Sequence, residues 1–238
     1  MNIAIIGYGK MGHEIEQIAL QRGHKIPVII DIDNSHELTV DNLKKCDVAI
    51  EFTTPKSAID NIIICFDANI PVVSGTTGWT DKLNNVIDLC IKNNKTFFYA
   101  SNFSLGVNIF FKLNKYLAEL MNKFNQYEIY VEEIHHTQKL DAPSGTALTL
   151  VNDIISLIDR KNRWELNENS KDDVIGIKAI REGNIPGTHI ITYDSDVDKL
   201  EIKHEAKNRK GFALGAVLAA EFIYGKIGYY TMDDLLKL

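Results

Sequence analysis

The 238-residue chain is poor in cysteine, in net positive charge and in long apolar runs. Its cysteines, Cys46, Cys65 and Cys90, stand far apart, and their number is odd. Such a set makes neither a disulfide framework nor a zinc pattern. It reads as buried thiols in a reducing compartment. Lys and Arg number 26 against 32 Asp and Glu, a net charge of −6. A nucleic-acid surface needs a concentrated basic patch, so no nucleic-acid partner is expected. The longest apolar stretch, FALGAVLAAEFIYG, is too short to span a bilayer and contains Glu221. No membrane partner is expected either. Met1-Asn2 leads directly into a strand-like run without a basic leader or cleavage site, which makes a cytoplasmic location the expectation.

What is present is a hydrophobic content of 45% and a charged content of 24%, ordinary for a chain with a packed core. NIAIIG reads as a buried strand, and KMGHEIEQIALQRG as a helix with Met11, Ile15, Ile18 and Ala19 on one face and Gly23 as its stop. The strands KIPVIIDID, DVAIEFT, IPVVSGTT and TFFYASN follow, with helices near 55–67 and 79–93 between the later ones. Short strands alternating with helices predict an α/β fold, a Rossmann-type doubly wound parallel sheet. The rhythm changes after Asn102. LGVNIFFKLNKYLAELMNKF predicts one long helix, QYEIYVEEIHH a strand, and 144–159 another helix. DVIGIKAIRE, GTHIITYDS and DKLEIKHEA predict strands of an antiparallel or mixed sheet. The expected organisation is a dinucleotide-binding domain over 1–103 plus 211–238, with an inserted α+β substrate and oligomerisation domain over 104–210. The apolar last helix is expected to return to the first domain.

Gly7-Tyr8-Gly9-Lys10-Met11-Gly12 fits G-x-G-x-x-G directly between a strand and a helix, the context that a dinucleotide fingerprint requires. Gly7 permits the tight turn, Gly9 the approach of a pyrophosphate, and Gly12 close helix–strand packing. The helix N-terminus offers free N–H groups to the anion, and Lys10 adds charge. Asp31 ends the second strand, where an acid accepts ribose hydroxyls; Asp33 competes for the role. Its charge disfavours the extra phosphate of NADP, and Ile32 supplies no cation, so NADH is expected over NADPH. EFTTP, SGTTGW and ASNFS end three further strands. Together they place Phe52, Thr53, Gly75, Thr76, Thr77, Ala100, Ser101, Asn102 and Phe103 around a nicotinamide crevice.

EEIHHTQKLDAPSGTAL, from Glu132 to Leu148, carries the chemistry. Its strand delivers His135 and His136 facing different ways, so one points into a cleft while the other supports or binds. Lys139 pairs with a carboxylate or donates a proton. Ser144-Gly145-Thr146 opens a helix after Pro143 and makes a second anion site. The combination suits a small dianionic acid, reduced by hydride and completed by a proton. Asp141 reads as a turn cap, and His189, His204 and Arg209 as solvated residues on or after later strands. No further ligand stands at convincing spacing from the histidines, so no metal is expected.

The same segment resembles the signature of the dihydrodipicolinate reductase family, in which paired histidines and a lysine precede D-A-P-S-G-T-A. The glycine loop, EFTTP, SGTTGW, SNFSLGVN, AIREGNIPGTHIITY and ALGAVLAAEFI agree in order over almost the whole chain. The resemblance implies NADH- or NADPH-dependent reduction of a cyclic dicarboxylic imine to tetrahydrodipicolinate, in the diaminopimelate route to lysine. It implies His135 as general acid with Lys139 as its catalytic partner. His136, Gly145 and Thr146 would bind the substrate carboxylates, and 7–12, Asp31, 75–77 and 100–103 the cofactor. It further implies a homotetramer built through the inserted domain's sheets, and a role for Arg209 near the domain hinge.

Two other classes share parts of this pattern. Another two-domain dehydrogenase of small acids has the glycine loop but no need of D-A-P-S-G-T beside twin histidines. A non-catalytic NADH-binding redox sensor would need a partner surface, for which the acidic balance offers little.

Overall fold

The computed structural model describes residues 1–167, 170–171 and 173–237. Leu238, the end of the expected first domain, lies outside them, as do residues 168, 169 and 172 inside the expected second. The chain forms two compact units: Met1–Leu105 with Arg209–Leu238, and Gly106–Asn208.

In the first unit the strands are β1 (Asn2–Ile6), β2 (Lys25–Ile30), β3 (Val48–Glu51), β4 (Val72–Ser74) and β5 (Thr96–Tyr99). The helices are α1 (Lys10–Gln21), α2 (Val40–Leu43), α3 (Ala58–Asp67) and α4 (Leu83–Lys92). After the second unit's elements, α7 (Lys210–Ile223), β11 (Gly228–Tyr230) and α8 (Met232–Leu236) complete it. All paired neighbours in the sheet run parallel, in the order β11-β5-β4-β3-β1-β2. Strands covered on both faces need apolar residues at every position, which is why β1, β3 and β5 read as continuous runs. Alternation then sorts the side chains. Ala4, Ile6, Ala49, Val72 and Phe97 pack with Ile62, Phe66 and Val86 from α3 and α4. Ile3, Ile5, Val48, Val73 and Phe98 pack with Ile15, Ala19, Ala216, Ala220 and Ile223 from α1 and α7. The last long helix therefore belongs to the first unit's core, as its apolar sequence predicts. α1 ends where Gly23 adopts φ +83°, and the next N–H, of His24, returns to Ala19 O at 3.0 Å. β1 lies between β2 and β3, so the chain leaves it for both sides of the sheet. The crevice beyond the carboxyl ends of such strands is where ligands bind in open α/β sheets.

The second unit holds α5 (Leu105–Met121, entered from the boundary), β6 (Glu128–His135) and α6 (Gly145–Leu157). β7 (Arg163–Glu165), β8 (Val174–Arg181), β9 (Thr188–Asp194) and β10 (Lys199–Glu205) follow. The sheet is mixed, in the order β10-β9-β6-β8-β7. β6 runs parallel to β8 and antiparallel to β9. Ile129, Val131, Ile175, Ile177, Ile191 and Tyr193 point to one face and pack with Phe110 and Ala118 of α5 and Leu150, Val151 and Ile154 of α6. The opposite face carries a groove of about 240 Å³ lined by Tyr130, Glu132, Lys178, Ile190, Thr192 and Glu201. Among the described residues, no helix is long and apolar enough to cross a membrane.

One contact in the first unit sets a tight limit on sequence. A Cβ at Gly215, inside α7, would lie 1.8 Å from Phe103 O, so helix and backbone touch only because this residue has no side chain. Gly215→Ala should destabilise the chain by about 3 kcal/mol, the upper end of overpacking costs. Urea unfolding reads this directly; an unchanged midpoint would show that the contact carries no such constraint.

Candidate active site

The fingerprint glycines sit as their spacing predicts. Gly7 has φ +95°, and a Cβ there would come within 2.0 Å of Phe52 O. A Cβ at Gly12 would come within 2.3 Å of Gly7 O, so helix α1 lies directly on the loop. Gly9 is the N-cap of α1, has no side chain to satisfy the first N–H groups, and faces open space. A cleft of about 620 Å³ opens here, lined by Gly7, Gly9, Asp31, Ile32, Ser35 and Thr53 among others. Free helix N–H groups beside an exposed carboxylate fit the pyrophosphate and ribose of a dinucleotide. Lys10 is exposed and Met11 half-buried against the core. Tyr8 meets the His13 ring at 3.9 Å between centroids, tilted by 53°, and bonds Glu16 through its hydroxyl.

Beyond the cleft the polar strand ends are organised by a residue absent from the sequence-based set. Glu51, the last residue of β3, is fully buried. It accepts from Ser74 Oγ at 2.6 Å, from Thr76 Oγ1 at 2.8 Å and from Thr53 N at 3.1 Å, and also from the Thr53 hydroxyl. Thr76 Oγ1 in turn accepts from Thr53 N at 2.7 Å, and Trp79 Nε1 donates to Thr76 O at 2.7 Å. Thr53 and Thr76 thus lend their hydroxyls to the scaffold. Thr77 and Ser101 are exposed, Asn102 half-buried. Phe52 lines the cleft and its ring would collide with a Cβ at Gly75. Ala100 and Phe103 are core residues of the first unit, Phe103 lying 5.5 Å from the Phe52 ring.

In the second unit, the phase of β6 puts Glu133 and His135 on the same covered face as Ile129 and Val131. His136, one residue past the strand, is half-buried. In the sheet His135 stands opposite Arg181 of β8, and Glu133 opposite His189 of β9. Glu133 is fully buried and accepts from Arg181 at 2.8 Å and from Ser144 N at 2.9 Å. His135 Nδ1 lies 3.7 Å and His189 Nε2 3.9 Å from the same carboxylate. Ser144 is the N-cap of α6; its Oγ accepts from Ala147 N at 3.2 Å and lies 3.2 Å from His189 Nε2. Gly145 is exposed with open space where a Cβ would stand, and Thr146 is half-buried, so the N-terminus of α6 is free to meet an anion. Lys139 Nζ holds both oxygens of Asp141, at 2.7 and 2.8 Å.

Charge in this cluster is divided by burial and by hydrogen bonds. Burial pushes the Glu133 carboxyl upward, but donors from Ser144 and Arg181 and the nearby His135 outweigh it, and Glu133 stays below the ordinary carboxyl range. Burial lowers His135; Glu133 opposes this, while Lys139 and Arg181 add to it. His189 is pushed down to about 3, first by burial and then by His135. Asp141 is held low by its hydrogen bond from Lys139. The unliganded cluster therefore sets a carboxyl held low against imidazoles that burial pushes toward the neutral form.

Two expectations change. His189 is buried rather than solvated, because it shares the inward phase of Ile191 and Tyr193 along β9. That alternation was the available signal for it. Glu133, His135 and His189 also bring ligand atoms within 4.8 Å of one another, a grouping invisible in linear spacing. Arg181 on the carboxylate and Lys139 nearby place positive charge at that point, which disfavours a divalent cation. His204 is half-buried, 6.1 Å from the Phe110 ring, and Arg209 is exposed. Asp141 serves as the partner of Lys139.

Known proteins share this arrangement of sequence and fold. The family model for the dihydrodipicolinate reductase N-terminus matches residues 1–103, and that for the C-terminus residues 106–236. A 4-hydroxy-tetrahydrodipicolinate reductase of Christiangramia forsetii is 52% identical over 238 residues, covering 100% of this chain and 98% of its own. One from Staphylococcus aureus is 36% identical over 248 aligned positions, covering 99% of this chain and 100% of its own. The solved structure of a dipicolinate-bound dihydrodipicolinate reductase from Paenisporosarcina sp. TG-14 has the same fold, with a TM-score of 0.76 at 24% identity over 97% of each chain. With both halves matched end to end, the chain belongs to the dihydrodipicolinate reductase family.

Proposed function

We propose that the chain reduces 4-hydroxy-tetrahydrodipicolinate (dihydrodipicolinate) to tetrahydrodipicolinate with NAD(P)H, in the diaminopimelate route to lysine. The observation that carries this is the pairing of His135 with a buried carboxylate beside Lys139 and the free N-terminus of α6, in a chain of this family. The glycine loop and the α1 N-terminus receive the pyrophosphate, and Asp31 the ribose hydroxyls. When bound, the reduced nicotinamide supplies the hydride. Gly145 and Thr146 N–H groups, His136 and Lys139 hold the two substrate carboxylates; Lys139 does so while shared with Asp141.

His135 supplies the proton. Burial lowers it in the unliganded chain, so it needs help to act as an acid. A dicarboxylate adds two negative charges, which favour the imidazolium as substrate binds. The acid form is then lost as pH rises through the raised value, so turnover falls on the alkaline side. NADH is preferred over NADPH, because Asp31 repels a 2′-phosphate and Ile32 offers it nothing. The remaining parts of the reading are a second unit that carries substrate and assembly, a homotetramer joined through the open face of its sheet, and a cytoplasmic location. The groove on that face and three unbridged thiols support them. No metal is required.

Absorbance of NADH should fall only when dihydrodipicolinate synthase, pyruvate and aspartate semialdehyde generate substrate in place; a folded protein that binds NADH and consumes none overturns the reading. His135→Ala should lower kcat by about 10²- to 10⁴-fold and leave NADH affinity unchanged. Weakened NADH binding with intact turnover would instead make His135 a cofactor residue. Asp31→Ser should raise kcat/KM with NADPH about tenfold, the scale of one like-charge contact removed. Equal use of both cofactors before and after the change would remove Asp31 from the selection.

A further inference from the structure

We propose that Glu133 is a positioning residue for the proton donor: its buried carboxylate holds the His135 ring with Nδ1 inward and Nε2 outward, and ties that ring to the turn that opens α6. This rests on the reading of His135 as the acid.

Four observations converge. His135 Nδ1 is buried and makes no hydrogen bond, and Glu133 Oε2 stands 3.7 Å away, an ion pair once the ring is protonated. Beside the other nitrogen, Nε2, residue 187 is a glycine at φ +155°, and a Cβ there would crowd it at 3.1 Å. The carboxylate cannot swing away, since Arg181 holds one oxygen at 2.8 Å and Ser144 N the other at 2.9 Å. Ser144 is also the cap of the helix whose next residues would take the substrate carboxylates. One side chain thus fixes both the acid and the cradle.

The chemistry follows. In the imidazolium both nitrogens carry hydrogen. The Nε2–H bond breaks as a C–H bond forms at the substrate ring, and Nδ1 keeps its hydrogen toward Glu133. The product is the neutral tautomer that the carboxylate favours. The groups facing His135 are Glu133 on its own strand, Arg181 on β8, His189 on β9 with its ring 5.0 Å away, and Lys139 and Asp141 in the loop beyond. Among them Glu133 most strongly favours the imidazolium; Arg181 and Lys139 oppose it.

The test uses the full chain and two charge changes of opposite sign. Glu133→Gln should move the alkaline limb of the kcat profile, and the titration of His135 followed by NMR in the unliganded protein, down by about one pH unit or more. Its turnover should fall about tenfold at alkaline pH and recover as pH is lowered. Arg181→Gln should move both upward. A merely structural role predicts lower activity with neither limb displaced. If Glu133→Gln does not fold, the half-buried Arg181 position carries the test alone. Limbs and titrations that superpose on the wild type in every folded variant overturn the proposal. His135→Ala with full turnover would instead remove the acid reading on which it stands.

Discussion

A carboxylate with no contact with water, at the end of β6, is the constraint on which the second unit's site depends. Desolvating such a group costs several kcal/mol unless donors replace the lost solvent. Here the donors are the Ser144 N–H and the Arg181 guanidinium, and each belongs to a different element. Satisfying Glu133 therefore fixes the start of α6 and the end of β8 relative to β6. The histidine two residues on inherits that precision, because β6 alternation places it on the same face.

The first unit solves the same problem with hydroxyls. Glu51 ends β3 fully buried, and its partners come from Thr53, Ser74 and Thr76. It locks together two strand-end loops beside the glycine turn. The two acids differ in what they leave behind. Around Glu51 the donors are consumed among themselves, giving a rigid wall. Around Glu133 the fixed donors leave His135 Nδ1 without a hydrogen bond, 3.7 Å from the carboxylate.

Local features of this arrangement were readable from sequence. Gly7, Gly9 and Gly12 act on atoms within a few residues or on the adjacent strand, so their spacing carries their meaning. The alternation of EIYVEEIHH likewise predicted a strand with one covered face. What was not readable depends on which strands lie beside β6. Arg181 meets Glu133 across 48 residues, and His189 comes from the other flank. Nothing in linear spacing selects β8 and β9 as those neighbours. Thr76 carries a tie that its type and place did not suggest: its hydroxyl donates to Glu51. The elements α2, β7, β11 and α8 escaped notice because each is too short to display a period.

The central proposal is that the substrate ring takes its hydride from the nicotinamide of a bound nucleotide. The most direct measurement is mass analysis of the trapped product formed with NADH dideuterated at the nicotinamide C4. The account predicts that every product ring gains one deuterium. Consumption of the labelled NADH with an unlabelled ring would contradict it.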